Sequence, residues 1–252
     1  MLAVATLTEP PRDAQTMSDL RESVVAEARQ AGERAAKILR PRWPEVQTVV
    51  TLGDPRVEIV HVADETRVDM IAVGARGLGR LKRFFLGSTS LAVARYAPCP
   101  VATVRGRLRP VERILVAVDG SEGSRAALRF LSIFELVRDA QVILVHVLPT
   151  SAVPGLRETG TSSDQQRDED RRKQRADAVL ADAAAKLSDA RRPIERLTYE
   201  GDPAREIVRS THSRDVDLVV LGARGLRTLG RLLLGSVSET VLHHVGRPVV
   251  IV

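Results

Sequence analysis

The chain repeats part of its own sequence at an offset of 148 residues, and this repeat limits the possible folds more than any other feature. Residues 53–104 align with residues 201–252 without a gap, through shared runs such as GDP, EIV, GARGL and LGS. Self-similarity over a segment of this length indicates a duplicated structural unit. We therefore expect two tandem domains of one architecture, at residues 1–108 and 109–252.

The second repeat alternates between two hydrophobic patterns. Short β-branched runs such as RILVAVD predict buried strands, whereas the apolar spacing after SEGS predicts a helix capped by Ser121. Five strands that alternate with four helices indicate a parallel sheet covered on both faces through right-handed crossovers. We expect two doubly wound, Rossmann-like α/β domains with strand order 3-2-1-4-5. The predicted strands are 113–119, 141–147, 194–199, 216–222 and 248–252, and the predicted helices are 121–137, 171–190, 203–213 and 236–245.

The first repeat lacks the beginning of this pattern. Its elements can be traced backwards from PVATV, but LAVATLTEPP at residues 2–11 best matches the second strand of the second repeat, ILVHVLP. The first strand lies in the middle of a 3-2-1-4-5 sheet, so its loss leaves two half-sheets with unpaired central edges. We expect the first domain to be N-terminally incomplete, with the missing strand either encoded upstream of Met1 or replaced by another segment.

The composition limits the partners and the compartment. The net charge is +6, but the 38 basic residues are mixed with 32 acidic ones, and aromatic residues for base stacking make up only 3% of the chain. Cys99 is the single cysteine, which excludes an intramolecular disulfide. The sequence has neither an apolar run near the roughly 18 residues of a membrane span nor a leader pattern. These features predict a cytoplasmic protein without a nucleic-acid or membrane partner.

A glycine pattern, Gly-x2-Gly-x9-Gly-Ser, follows the fourth strand of each repeat. Glycine lacks Cβ, so the backbone can turn sharply and approach a ligand closely. The final Gly-Ser opens a helix whose N–H groups and positive dipole end suit a phosphate. Because ligands of such sheets bind beyond the carboxyl ends of the strands, we expect an anion-binding loop there. Its residues are Gly222, Gly225, Gly235 and Ser236 in the second repeat, and Gly74, Gly77, Gly87 and Ser88 in the first.

An acidic turn, VAVDGSEGS, faces this loop in the second repeat only. Asp119 follows the first strand, where its carboxylate can accept hydrogen bonds from ribose hydroxyls or help to hold a divalent metal. Val147 follows the second strand, where the edge of an adenine can meet backbone groups. An isolated Asp-Gly turn is more often a helix-capping turn, but the nearby glycine loop favours a ligand role for Asp119.

These motifs resemble the universal stress protein family over nearly the whole chain, as two tandem domains. The resemblance implies an adenine nucleotide alpha hydrolase-like fold with an ATP-type pocket in the second domain. The first repeat offers no residue for the aspartate role, so one nucleotide per chain is expected. Arg224, between the motif glycines, either pairs with phosphates or faces solvent. The resemblance assigns Asp119 to the ribose side, Ala117 and Val147 to the adenine side, and Ser236, Val237 and Ser238 to the phosphates.

The expected function is that of an ATP-binding regulator of the stress response, with Mg²⁺ accompanying the nucleotide. The sequence contains no G-x-x-x-x-G-K-[ST] loop, no G-x-S-x-G elbow and no H-E-x-x-H pair. We therefore expect no efficient enzyme, although slow hydrolysis of bound ATP is compatible with the pattern. Two alternatives stay open: a nucleotide-free interaction protein with relic glycine loops, and a small-molecule hydrolase or transferase that uses the same cleft.

The last strand of each repeat predicts how the repeats associate. PVATV and PVVIV are short, apolar and expected at sheet edges, where an unpaired strand tends to find a partner. In the family that the chain resembles, such pairing is common. We expect either a homodimer of chains or a pseudo-dimer within one chain.

Overall fold

The computed structural model describes residues 2–5, 14–75, 86–106, 109–134, 137, 139–150, 162–187, 192–225 and 234–252. Contacts divide the chain into two compact units, Met1–Asp69 with Tyr96–Pro98, and Met70–Arg95 with Cys99–Val252. The domain limits at 1–108 and 109–252, which come from the sequence repeat, stay a prediction. Among the described helices, none combines the length and the apolar character that a bilayer span requires.

The first unit is a two-stranded parallel sheet with two helices. The strands pair from Leu2↔Val49 to Ala5↔Leu52. In chain order its elements are β1 (Leu2–Ala5), α1 (Ala14–Leu39), β2 (Val49–Leu52) and α2 (Pro55–Thr66).

The second unit contains a seven-stranded sheet, which includes strands from both repeats. The elements are β3 (Ile71–Gly74), α3 (Ser88–Tyr96), β4 (Val101–Val104), β5 (Arg113–Ala117), α4 (Glu122–Ile133), β6 (Gln141–Pro149), α5 (Ser162–Ala185), β7 (Ile194–Gly201), α6 (Pro203–Ser213), β8 (Leu218–Leu221), α7 (Ser236–His244) and β9 (Val249–Ile251). The order across the sheet is β3-β4-β9-β8-β5-β6-β7.

The second repeat has the predicted strand order. Its strands lie in the order β7-β6-β5-β8-β9, which is 3-2-1-4-5 when they are counted along the repeat, and each neighbouring pair is parallel. The central strand β5 is apolar on both faces because helices cover both sides of such a sheet. Its residues Ile114, Leu115 and Val116 are fully buried and contribute to the core.

The first repeat is divided at the position of its missing strand. The strands β1 and β2, which match the second and third strands of the complete repeat, form their own sheet, whereas β3 and β4 belong to the large one. The strand β3 is an edge strand of that sheet, with β4 as its neighbour. This division confirms the two half-sheets that the sequence predicts.

The last strands of the two repeats pair with each other inside the chain. The strands β4 and β9 are antiparallel, with the register Val101↔Ile251 to Thr103↔Val249. The Thr103 side chain is buried and its hydroxyl donates to the carbonyl of Val249 at 3.2 Å. The predicted association of the last strands is therefore present as an intrachain seam, while the oligomeric state of the chain stays a prediction.

The helix α5 begins earlier than the sequence pattern predicts. It starts at Ser162, whereas the sequence pattern predicts a start at residue 171. Pairs one turn apart stabilise this solvated section, such as Lys173 Nζ with Glu169 Oε1 at 2.7 Å. Apolar periodicity marks only the part of a helix that packs on the core, so it does not reveal a polar extension.

The GDP motif shared by the two repeats starts a helix in each. The Asp54 carboxylate accepts from the N–H of Arg56 before α2, and that of Asp202 accepts from the N–H of Arg205 before α6, both at 2.9 Å. A proline follows each aspartate at the first helical position, where its fixed φ suits the helix. Hydrogen bonds from the Arg56 side chain and N–H lower the pKa of Asp54 to about 2. This part of the repeat therefore serves helix initiation.

Arg105 joins the end of the first repeat to the second. It follows β4, and its guanidinium donates to the carbonyls of His243 at 3.2 Å, Val245 at 3.0 Å and Leu242. The last carbonyls of a helix have no partner within it and carry the negative end of its dipole. One cation therefore caps the C-terminus of α7.

We expect Arg105→Ala to lower the free energy of unfolding by about 2 kcal/mol, because hydrogen bonds to a charged group contribute about 1.5–3 kcal/mol. Urea denaturation followed by circular dichroism measures the change. Arg129→Ala is the control, since it removes an exposed ion pair with Glu122 that solvent screens. Equal effects of the two substitutions would contradict the capping role.

Candidate functional site

The carboxyl ends of β5, β6 and β8 meet at one edge of the sheet. The strand β5 ends at Ala117, and a bond of 2.9 Å from the N–H of Val118 to the carbonyl of Val145 extends its pairing with β6. His146 Nδ1, on β6, lies 2.7 Å from the carbonyl of Val118, and this contact holds the two neighbouring strands together beyond the end of β5. The strand β6 runs on alongside β7, so the half-buried Val147 lies beyond the end of β5. Both residues predicted for the adenine side therefore lie at this edge.

Asp119 follows β5 and uses its two carboxylate oxygens differently. Its Oδ1 accepts a hydrogen bond of 2.9 Å from the N–H of Ser121, which fixes the turn before α4. Its Oδ2 lies close to Gly225, since a Cβ built on that glycine would come within 2.6 Å of it. One oxygen thus serves the turn, as a capping residue would. The other lies at the glycine segment, of which residues 222–225 and 234–235 are described, as the ligand role requires.

The glycine segment after β8 is fixed to its surroundings by backbone and hydroxyl bonds. The N–H of Ala223 donates to the carbonyl of Val252, and the N–H of Gly235 donates to the carbonyl of Ala223, both at 2.7 Å. The hydroxyl of Ser238 donates to the carbonyl of Gly222 at 2.7 Å, and both residues are buried. The Ser238 hydroxyl, predicted at the phosphates, is therefore engaged in holding the segment against α7.

The start of α7 differs from the start of α4. In α4, Ser121 Oγ accepts a hydrogen bond of 3.1 Å from the N–H of Ser124. In α7 the capping residue is Gly235, which makes no side-chain cap. Ser236 is exposed and Val237 half-buried at this end of the helix. Helix N–H groups without a side-chain cap, together with the positive dipole end, suit an anion.

The glycine segment also touches the start of α4 through backbone atoms, a contact that the sequence analysis missed. A Cβ placed on Gly123 would overlap the carbonyl of Arg224, and one placed on Gly222 would overlap the backbone of Gly123. The hydroxyl of Ser121 donates to the same Arg224 carbonyl at 3.3 Å. A glycine in the second position of α4, which costs helix stability, is the signal that could have indicated this approach. Pairing of the Arg224 side chain with phosphate stays a prediction.

The charges around the start of α4 are held in a local network. Arg125 Nη1 donates to the carbonyl of Gly120 at 2.6 Å and thereby supports the Asp119 turn. Hydrogen bonds from Arg129 and, to a smaller extent, from Arg125 lower the pKa of Glu122. The lowered pKa favours the ionised form of Glu122 in the first turn of α4, where a negative charge interacts favourably with the helix dipole.

The first repeat keeps the same glycine geometry. The N–H of Gly87 donates to the carbonyl of Ala75 at 2.8 Å, and the Ser90 hydroxyl donates to the carbonyl of Gly74 at 2.7 Å. Ser88 begins α3 as Ser236 begins α7. Neither a counterpart of β5 nor one of Asp119 lies in the described part of this repeat, and Gly74 is exposed where Gly222 is buried. Among the described residues, a carboxylate lies at the glycine segment of the second repeat and none lies at that of the first.

Several predicted positions do not enter this geometry. Gly77 and the spacer residues 226–233 lie outside the described residues. Among the residues that are described, no group of three or more His, Cys, Asp or Glu is arranged to hold a metal ion.

Burial lowers the pKa of His243 in the last turn of α7, which favours its neutral form.

Comparison with known protein families gives a match along both repeats. The sequence model of the universal stress protein family matches residues 2–105 and 110–252. The chain is similar to universal stress protein Rv2005c of Mycobacterium tuberculosis, with 30% identity over 239 residues that cover 89% of this chain and 76% of that protein. It is also similar to universal stress protein Rv2623 of the same organism, with 32% identity over 225 residues that cover 81% and 71%.

Solved structures show the same fold. A universal stress protein from Archaeoglobus fulgidus aligns with a TM-score of 0.64 at 21% identity, over 98% of this chain and 84% of its own. Protein PA1789 of Pseudomonas aeruginosa, described as functionally unknown, aligns with a TM-score of 0.67 at 18% identity, over 100% and 91%. At these identities the likeness concerns the architecture alone.

Gly123→Ala tests the contact between α4 and the glycine segment by the sign of its effect. Alanine at an exposed helix position stabilises by roughly 0.5–1 kcal/mol relative to glycine. We expect destabilisation instead, because the new Cβ has to displace the Arg224 backbone. Thermal unfolding measures the sign, and Arg129→Ala on the exposed side of the same helix is the control. A more stable Gly123→Ala variant would show that the contact is absent.

Proposed function

The chain belongs to the universal stress protein family, and from this premise we propose that its second half binds ATP at the carboxyl edge of the sheet. In this proposal the bound nucleotide regulates what the protein presents to its partners in the stress response. The observation that carries it is the approach of the Asp119 carboxylate to Gly225, next to a helix start without a side-chain cap. A carboxylate and an anion-binding helix start beside the same glycine residues suit a molecule with a sugar and phosphates.

The residues around this site have specific proposed roles. Asp119 Oδ2 accepts hydrogen bonds from the ribose hydroxyls, while Oδ1 continues to hold the turn. Ala117 and the rim residue Val147 meet the adenine. The N–H groups of Ser236 and Val237, with the Ser236 hydroxyl, bind phosphate oxygens. The backbone of Gly222, Gly225 and Gly235 allows close approach, and Arg224 adds positive charge.

Magnesium enters this proposal with the nucleotide. Mg²⁺ is usually bound through one or two carboxylates together with substrate phosphates, and it keeps several waters. Asp119 is the carboxylate next to the glycine segment, and one of its oxygens already bonds to Ser121. The residues therefore fit an ion held mainly by phosphates and water, and Mg²⁺ would neutralise phosphate charge there.

Regulation would follow from the contacts of the glycine segment. The segment contacts α4 through Gly123 and is bonded to α7 through Ser238. A ligand that binds one arrangement of the segment more tightly shifts the population toward that arrangement. Partners would then sense the surface formed by the segment and the two helices. Slow turnover of bound ATP is compatible with this role, and we assign no catalytic residue.

One observation favours a second function, that of an interaction protein that needs no nucleotide. The glycine segment packs on α4 through direct backbone contact. A segment held in this way can serve packing alone. An unchanged melting temperature in the presence of ATP would favour this alternative.

Isothermal titration calorimetry is the direct test. We expect one ATP per chain, and at least about tenfold weaker binding for Asp119→Asn, because a charged hydrogen-bond acceptor is lost. Asp139→Asn is the matched control, since this exposed aspartate precedes β6 at the opposite edge of the sheet. Absence of adenine-nucleotide binding, or equal affinities for the two variants, would overturn the proposed site.

A further inference from the structure

The end of strand β5 departs from the hydrogen-bond pattern of the sheet. The register pairs Ala117 with Val145, and the N–H of Val118 donates to the carbonyl of Val145 at 2.9 Å. A regular parallel ladder continues from here with a bond from the N–H of Val147 to the carbonyl of Val118. Among the backbone bonds of the described residues, this one is absent. The Val118 carbonyl instead lies 2.7 Å from Nδ1 of His146.

The chemistry of this contact fixes the position of the imidazole proton. A carbonyl oxygen only accepts hydrogen bonds, so Nδ1 of His146 carries the hydrogen and donates it to Val118. Val118 is 3% exposed, and a buried carbonyl that lacks a donor destabilises the fold. The imidazole therefore supplies a bond that a backbone N–H of β6 would otherwise supply.

Val147 keeps its backbone groups for another partner as a result. The N–H and C=O of one strand residue point to the same edge of the strand, and those of successive residues point to opposite edges. Because the carbonyl of Val145 accepts from Val118, the groups of Val147 also point to the side of β5. The strand β5 has already ended at Ala117. Among the described residues, no backbone group bonds to Val147 on that side, so its N–H and carbonyl face the space beyond β5.

An N–H beside a carbonyl suits a ring edge that presents an acceptor beside a donor. Adenine has such an edge, because its ring nitrogens accept and its N6 amino group donates. Guanine carries the O6 acceptor in place of that amino group, and this oxygen would face the Val147 carbonyl. A site built to hydrogen-bond its ligand rejects an analogue that leaves the groups of the site unpaired. The Val147 backbone therefore favours adenine over guanine, provided that its N–H stays outside the ladder.

We propose that His146 is a positioning residue for the nucleobase, which holds the Val118 carbonyl and thereby keeps the Val147 N–H available to adenine. The inference rests on the proposed nucleotide site and deepens it, because base specificity then depends on a side chain that acts through the backbone. Without the imidazole, the Val118 carbonyl takes the N–H of Val147, and the ladder between β5 and β6 gains one bond. The adenine edge then loses its donor, while the groups proposed for the phosphates stay unchanged.

Two substitutions of nearly equal size separate the hydrogen bond from packing. His146→Asn keeps an N–H donor near the position of Nδ1, whereas His146→Leu has no donor. Amide hydrogen exchange of the full 252-residue chain, followed by NMR, reports on the Val147 N–H without any nucleotide. We expect the Val147 amide of His146→Leu to exchange at least about tenfold more slowly than that of the wild type. In His146→Asn we expect the wild-type rate.

The wild-type chain alone provides a second measurement, which keeps the test decisive if circular dichroism shows that His146→Leu does not fold. The register places Val145 inside the ladder with β5. We expect the Val147 amide to exchange at least about tenfold faster than the Val145 amide. Equal protection of the two amides would overturn the proposal whether or not the chain binds ATP.

Calorimetry with ATP, GTP and inorganic tripolyphosphate tests the role of His146 in recognition. We expect His146→Leu to weaken ATP binding at least about fivefold, to reduce the preference for ATP over GTP and to leave tripolyphosphate binding unchanged. His146→Asn should restore ATP binding. Equal losses for ATP and tripolyphosphate would overturn the proposal, because they would show a general disturbance of the site. Absence of ATP binding by the wild type would overturn the proposed function, whereas ATP binding that His146→Leu leaves unchanged would overturn this inference alone.

Discussion

The pairing of β5 on both of its sides, with β8 and with β6, is the interaction on which the second half of the chain depends. It buries the centre of the core, and it sets the ends of three strands side by side. Asp119 reaches Gly225 only because β5 lies next to β8. In the first half the glycine residues are retained, but none of its described strands is a counterpart of β5, and Gly74 is exposed. The same loop chemistry therefore has different surroundings in the two halves.

Sequence reasoning predicted the elements well where one physical signal determines them. Apolar periodicity located the strands, and α6 begins and ends as the pattern of residues 203–213 predicts. The strand order of the second repeat followed from the doubly wound architecture that alternating strands and helices indicate. The predicted start of α5 at residue 171 was wrong, because surface side-chain pairs rather than burial stabilise the turns before it.

The candidate site was predictable in its chemistry but not in its packing. The spacing of Gly222, Gly225 and Gly235 and the position of Asp119 indicated residues that the fold brings together. The contact of Gly123 with the Arg224 carbonyl was not predictable, because it joins residues far apart in sequence through backbone atoms. Such a contact depends on how closely two segments pack in the folded structure. One isolated glycine in the sequence gives only a weak indication of that packing. Glycines of this site serve close packing as well as access for a ligand.

The antiparallel seam between β4 and β9 has a consequence for assembly. Its two strands belong to one polypeptide, and residues 105–112 connect β4 to the strand that follows it. Tethering of this kind gives two surfaces an effective concentration on the order of millimolar, whatever the total amount of protein. Dilution separates two subunits that meet through such strands, but it does not separate these. The seam between the repeats therefore forms independently of how many copies of the chain a cell makes.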